Sequence, residues 1–313
     1  MDLLMESFSI CAKSGADLLA IESTGGKEVT DKAIIQADIR GVLFGAGSLA
    51  ARDMEYLWTN ICSLANTTKT VPSGDTACGI ANTAMVLADR KYIPKVFAAI
   101  VRTICACRSL VSYEVGSLGP GKDCGYENPF IKAITGIPMS IEGRASACAH
   151  FSSLGNIAGA YADLWSNESV QNIKLLSGMA PVVSMEQLIY DCRLFDISLK
   201  DGCQNILRDW FVKTDAFRDP QAYIFTPDSI IEISKVIIST ENYYTRALQT
   251  AIKTVEILKK GIEKRELFLN ELEIEWLDRI EEDLKSAPTN ESQFISEEHK
   301  KWSEFVNLSE YGL

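Results

Sequence analysis

At 313 residues, 47% hydrophobic and with a formal charge of −11, the chain can bury one large core or two modest ones. That acidic balance lacks the basic footprint a nucleic-acid backbone requires, which excludes nucleic-acid binding. No window of 18 uncharged apolar residues occurs, so no membrane span is expected, and MDLLMESFSICAKSGADLL carries early Asp2 and Glu6 without a basic leader, so no secretory signal is expected either. Nine cysteines, an odd number without framework spacing, read as reduced thiols of a cytoplasmic protein. Only His150 and His299 are present, so a metal site here must lean on sulfur and carboxylate.

In chain order, apolar spacing predicts a helix over 3–14, stopped by Gly15, and a first strand over 16–21 (ADLLAI). A short helix over 28–38 leads to a second strand at 39–44 (IRGVLF), then a helix over 49–65 and a weak strand or loop at 70–73. A long helical region covers 79–107, with Pro94 starting a new helix or kinking the old one. A strand over 109–116 runs into a glycine loop holding Cys124, followed by a helix at 129–135 and a strand at 137–141. Strand, glycine loop and helix recurring in this way predict parallel α/β units, and candidate residues at several strand ends favour a barrel over an open sheet. Beyond residue 151 the texture turns helical: 151–165, 184–195, 202–212, and nearly everything from Asp228. The charged stretch 262–285 reads as a solvated packing helix, and 288–304 as loose or a short terminal helix. The expected division is a barrel-type α/β catalytic domain over 1–225 and a helical C-terminal region over 226–313.

Two nucleotide-binding patterns fail on inspection. GVLFGAGSLA (41–50) has a G-x-G-x-x-A spacing, yet no Asp or Glu follows between Tyr56 and Gly74 to hold a ribose. GSLGPGKD (116–123) has phosphate-loop spacing, but Asp123 stands where Ser or Thr would hold magnesium, and its carboxylate would repel phosphate. Of the cysteines, Cys11, Cys62, Cys105, Cys107, Cys192 and Cys203 sit in helical apolar patterns and read as structural. Cys78 and Cys124 each lie at a glycine turn beside an aspartate, Asp75 and Asp123. On the residues alone they are metal ligands, thiol nucleophiles or structural thiols, with Glu22 before Gly25 and Gly26 a possible third ligand or a loop carboxylate.

A resemblance narrows these alternatives. IESTGGKE (21–28), RDMEYLW (52–58), GDTACGIANTAM (74–85), RSLVSYEVGSLGPGKDCGYENPFIKAITGIP (108–138), SIEGRASACAH (140–150), ADLWSNESV (162–170) and FRDPQA (217–222) closely resemble the methanol:corrinoid methyltransferases. These are the zinc subunits of methanol-specific methyl-transfer systems. The resemblance implies a TIM-type (β/α)8 barrel with a catalytic Zn²⁺ at its mouth, held by Glu22, Cys78 and Cys124. It further implies that methanol is activated on zinc and its methyl group passed to the Co(I) corrinoid (cobamide) of a partner corrinoid-binding methyl-carrier protein, in an oligomeric assembly with it. Two thiolates and a carboxylate leave zinc formally negative, so a nearby proton donor or hydrogen bond is expected, with Asp75 and Asp123 the candidates in sequence. Family members carry a substantial region before the first ligand, whereas Glu22 comes early here, which predicts a barrel lacking its N-terminal strands. Two further readings stay open: a truncated zinc-binding subunit that only docks the corrinoid protein, and a related corrinoid methyltransferase with another methyl donor.

Overall fold

The structure, a computed structural model, describes residues 2–75, 79–123, 127–141, 155–157 and 181–313. Helix α1 (Asp2–Lys13) leads to β1 (Leu18–Ile21), α2 (Lys27–Ile35) and α3 (Ile39–Val42), which continues as a π-helical turn (Leu43–Leu49) into α4 (Ala50–Thr68). Next come β2 (Val71–Asp75), α5 (Gly79–Asp89), α6 (Lys95–Glu114), β3 (Gly121–Asp123), α7 (Asn128–Thr135) and β4 (Met139–Ile141). The remainder is helical: α8 (Pro181–Lys200), α9 (Gln204–Ala216), α10 (Pro220–Tyr223), α11 (Pro227–Ile237), α12 (Tyr243–Glu263), α13 (Glu271–Ser286) and α14 (Glu291–Trp302), closed by a 3-10 turn (Leu308–Tyr311).

The expected barrel is corrected by these elements. Among the described residues helices dominate, and the strands form two parallel two-stranded sheets, β1 with β2 and β3 with β4, neither of them closed. Two expected strands are helices. At 39–44, Asp38 accepts hydrogen bonds from the backbone N–H groups of Arg40 and Gly41, which starts α3 instead. At 109–116, the apolar run is the last part of α6, whose start is set by Pro94 at the N-cap. A short apolar run flanked by turn residues fits a buried strand and a buried helix equally well, and burial on all sides decided for helix.

Helix α6 is the centre of the molecule. Every residue from Val96 to Ser112 is buried, and the helix packs on α12, α4 and α5. It is long and apolar enough to cross a membrane by those criteria alone, but its apolar window is 94% buried inside the fold. Its polar groups are matched across the α12 contact, where Thr254 Oγ1 lies 3.0 Å from Thr103 Oγ1 and Cys107 Sγ lies 3.3 Å from Thr250 Oγ1. The main apolar cluster runs from Val29 on α2 to Trp302 on α14, and a smaller one joins Leu19, Met54, Trp58, Ile61 and Val111 beneath the first sheet.

The glycines of the G-x-G-x-x-A stretch serve this packing. A Cβ on Gly45 would collide with Thr30 Oγ1, and one on Gly47 with Ala247. Close helix approach therefore accounts for both, and the π-helical turn is buried throughout. The C-terminal helix docks by charge: Arg52 to Glu291 at 2.8 Å, and Arg40 to Glu298 at 2.7 Å and Glu297 at 2.8 Å.

Candidate functional site

The two small sheets lie side by side. β1 and β2 pair in parallel from Leu18↔Val71 to Ile21↔Asp75, with a slip at Ser73. There Ser73 Oγ turns away and donates to Pro120 O at 2.6 Å, while Leu118 N–H donates to Pro72 O at 2.8 Å. Those bonds hold the start of β3 alongside β2 in the same direction, and β3 pairs with β4 up to Asp123↔Ile141. The carboxyl ends of β1, β2 and β3 therefore open on one side of the molecule.

Each of these strand ends leads into a segment that the sequence marks as chemical. Glu22 comes directly after β1 and is exposed. Its Oε1 lies where a Cβ on Gly79 would stand, so the carboxylate rests on the first residue of α5. Cys78 and Cys124 lie outside the described residues, Cys78 immediately before Gly79 and Cys124 immediately after Asp123. Asp123 ends β3, and its side chain also lies outside the description. Among the described residues no group of three or more His, Cys, Asp or Glu side chains is arranged to hold a metal ion. The metal centre expected from sequence is corrected to that extent: of its three ligands, the described residues supply Glu22.

Asp75 is buried at the end of β2, with both oxygens engaged. Oδ1 accepts the Ser23 N–H at 2.8 Å and Oδ2 pairs with Arg108 at 3.0 Å. Burial pushes its pKa up while Arg108 and the Ser23 donors pull it down, and the Glu22 charge adds a smaller upward push. The geometry, one N–H and one guanidinium donating to its two oxygens, is that of an ionised carboxylate. Arg108 also donates to Ser23 O at 2.9 Å and to Ser23 Oγ at 2.6 Å. Burial opposes the Arg108 charge, and Asp75, then Glu127, with a contribution from Asp53, hold it in place.

The next residue of α6, Ser109, donates to Oε2 of the fully buried Glu127, which is the first described residue after Cys124. On the far side of the Glu22 loop, Gly25 leaves no room for a side chain beside Asp53, whose pKa burial raises against the pull of Arg108 and the Gly25 N–H. The Gly26 N–H is bound by Tyr311 Oη at 3.1 Å.

Ser23, Arg108, Ser109 and Glu127 escaped the sequence reading. Arg108 carried a signal, since a charge inside a long apolar run must be paired if buried. The misplaced strand at 109–116 hid it by putting Arg108 at a chain turn.

Comparison with known proteins gives this arrangement a lineage. The family described as MtaB, methanol-cobalamin methyltransferase B subunit, matches residues 1–312. The chain belongs to that family. The methanol–corrinoid protein co-methyltransferase of Methanosarcina barkeri (strain Fusaro / DSM 804) is 40% identical over 310 residues, which cover 98% of this chain and 67% of the relative. The crystal structure of the methanol:cobalamin methyltransferase complex MtaBC from Methanosarcina barkeri aligns with a TM-score of 0.88 at 37% identity, over 100% of this chain and 69% of that one. Membership in the methanol-cobalamin methyltransferase B family thus extends through the helical C-terminal half as well as the strand-end loops.

Proposed function

We propose that this chain is the methanol-activating subunit of a cytoplasmic methyl-transfer system, passing the methyl group of methanol to the Co(I) corrinoid of a separate carrier protein. The observation that carries the reading is the placement of Glu22 against Gly79, next in the chain to Cys78. It sets one expected ligand against the residue that follows a second in the chain, within a family member matched over 1–312. The solved complex and the curated relative, both named for methanol and a corrinoid acceptor, support the substrate and the partner.

The donor set fits zinc. A carboxylate from Glu22 and thiolates from Cys78 and Cys124 make three protein ligands, the number that leaves zinc a position for substrate. Bound there, zinc supplies Lewis acidity toward the methanol oxygen as the C–O bond breaks. The chain's own residues do the rest. Glu22 is exposed and supplies negative charge at the end of β1, with Gly79 leaving room for it. Asp75 spends both oxygens on Ser23 and Arg108, and we assign it to holding the loops. Asp123, next to Cys124, is the remaining candidate to donate a proton or hydrogen bond to the departing oxygen.

The test is anaerobic: metal content of the purified chain by mass spectrometry, then methanol-dependent methylation of added Co(I) cobalamin followed by its visible spectrum. About one zinc per chain and methanol-dependent formation of methyl-Co(III) are expected. Cys124→Ala should lose most zinc and nearly all transfer, whereas Cys203→Ala, at an exposed cysteine, should change neither. Zinc without methylation would overturn the catalytic reading in favour of a docking subunit, and equal losses from both substitutions would expose a folding effect.

A further inference from the structure

Three loops must be held in register for Glu22, Cys78 and Cys124 to act on one centre. Such ligands sit on segments that leave short strands, and β3 has only three residues. The backbone ladder alone is a weak anchor for them. The described residues show where each loop is fastened instead. Ser23, adjacent to Glu22, receives hydrogen bonds from Arg108 at both its carbonyl and its hydroxyl oxygens. Asp75, three residues before Cys78, pairs with the same guanidinium nitrogen and accepts the Ser23 N–H. Glu127, three residues after Cys124, accepts from the hydroxyl of Ser109. All three fastenings converge on two consecutive residues of one helix, which is buried at every residue from Val96 to Ser112.

We infer that Arg108 and Ser109 are positioning residues that tie Ser23, Asp75 and Glu127, each within three residues of Glu22, Cys78 or Cys124 in the chain, to the buried core helix α6. The two residues divide the hydrogen bonds: Arg108 joins Ser23 to Asp75, and the Ser109 hydroxyl donates to Glu127. The geometry explains why an arginine suits this buried position. Its Nη2 alone reaches acceptors on Ser23 and on Asp75, one bond farther from the backbone than a lysine ammonium extends. Supporting partners of this kind commonly govern metal affinity by about tenfold or more, although they touch no metal themselves.

The inference rests on the zinc reading of the site, and its test separates the two. The full chain and the variants Arg108→Lys and Ser109→Ala would be prepared metal-free and compared by hydrogen–deuterium exchange with peptide resolution. In Arg108→Lys, exchange should rise about tenfold in the peptides containing Ser23 and Asp75 and stay unchanged around Glu127. In Ser109→Ala the pattern should reverse, with the rise confined to the peptide containing Glu127. Peptides from α11 and α13 should match the unsubstituted chain in both. A uniform rise over the whole chain, or no rise at the named loops, would overturn the inference by reducing these residues to general stability or to none.

Zinc affinity, measured by competition with a chelator, gives the second readout, with a loss of about tenfold expected in each variant. Variants that loosen the loops yet bind zinc as tightly as the parent would also overturn it. A parent chain that binds no zinc while the exchange pattern appears as described would instead sink the zinc reading and leave the positioning role standing.

Discussion

The contact between Glu22 and Gly79 decides more than its size suggests. Any side chain at position 79 would occupy the place of Glu22 Oε1, with the Lys27 stem 3.8 Å away on the other side. Gly79 opens α5 with ordinary helical backbone, so alanine there strains nothing and favours the helix. Gly79→Ala is therefore expected to leave the thermal midpoint unchanged or slightly raised, because an exposed carboxylate swings aside cheaply. Metal content should fall severalfold in the same protein. A variant that keeps full zinc with the carboxylate displaced would remove Glu22 from the ligand set. Asp75 carries a related lesson. Its place near Cys78 in sequence made it a candidate for a proton donor or hydrogen bond, and in the fold it is buried with both oxygens accepting, from Ser23 and from Arg108.

Elements record where the sequence was legible and where it was not. The strand at 16–21 was readable because a short apolar run between Gly15 and Glu22 has no room to be a helix, and β1 covers Leu18–Ile21. Pro94 was readable as a restart, and it caps α6. The stretch 39–49 was not, because its apolar residues are buried on every side and lose the periodicity that separates the two structures. The 109–116 run failed for the same reason, and with it went the expectation of a closed barrel. Glycine and residue type marked Glu22, Cys78 and Cys124 in the sequence, and they do not reveal what fastens the neighbouring Ser23, Asp75 and Glu127. The π-helical turn makes its own prediction. Gly45 faces Thr30 Oγ1 and Gly26 O too closely for a side chain, and Gly26 itself has a φ of 67°. Gly45→Ala should lower stability by about 1–3 kcal/mol through overpacking, read from the midpoint of urea unfolding at unchanged slope. An unchanged midpoint would mean that α2 moves away from the turn without cost.

At the scale of the whole molecule, the C-terminal segment reaches back to the first functional loop. Phe305, Leu308 and Tyr311 pack against the main core, Lys32 sits over the Phe305 ring at 4.2 Å, and Lys301 pairs with Asp38. That docking delivers Tyr311 Oη to the Gly26 N–H, across 285 positions of sequence, at 3.1 Å. Gly26 precedes α2 with no side chain to cap it, so the phenol satisfies a donor that the local sequence leaves open. Tyr311→Phe removes that acceptor and keeps the ring. The cost should be about 1 kcal/mol, seen as about a fivefold faster exchange of the Gly26 amide with little change elsewhere. Burial raises the Tyr311 pKa, opposed by the Gly26 N–H and aided by the Asp53 charge. A folded pKa above the unfolded value of about 10 means the neutral phenol is the form the fold favours. Its contribution is complete below pH of about 10 and is lost as pH rises through the folded value. The urea midpoints of the parent and of the variant should thus converge as pH rises through the folded value, because ionisation costs the half-buried phenol and leaves phenylalanine untouched. If they already agree at neutral pH, the loop that carries Glu22 is held by Arg108 and the π-helical turn without help from the C-terminal segment.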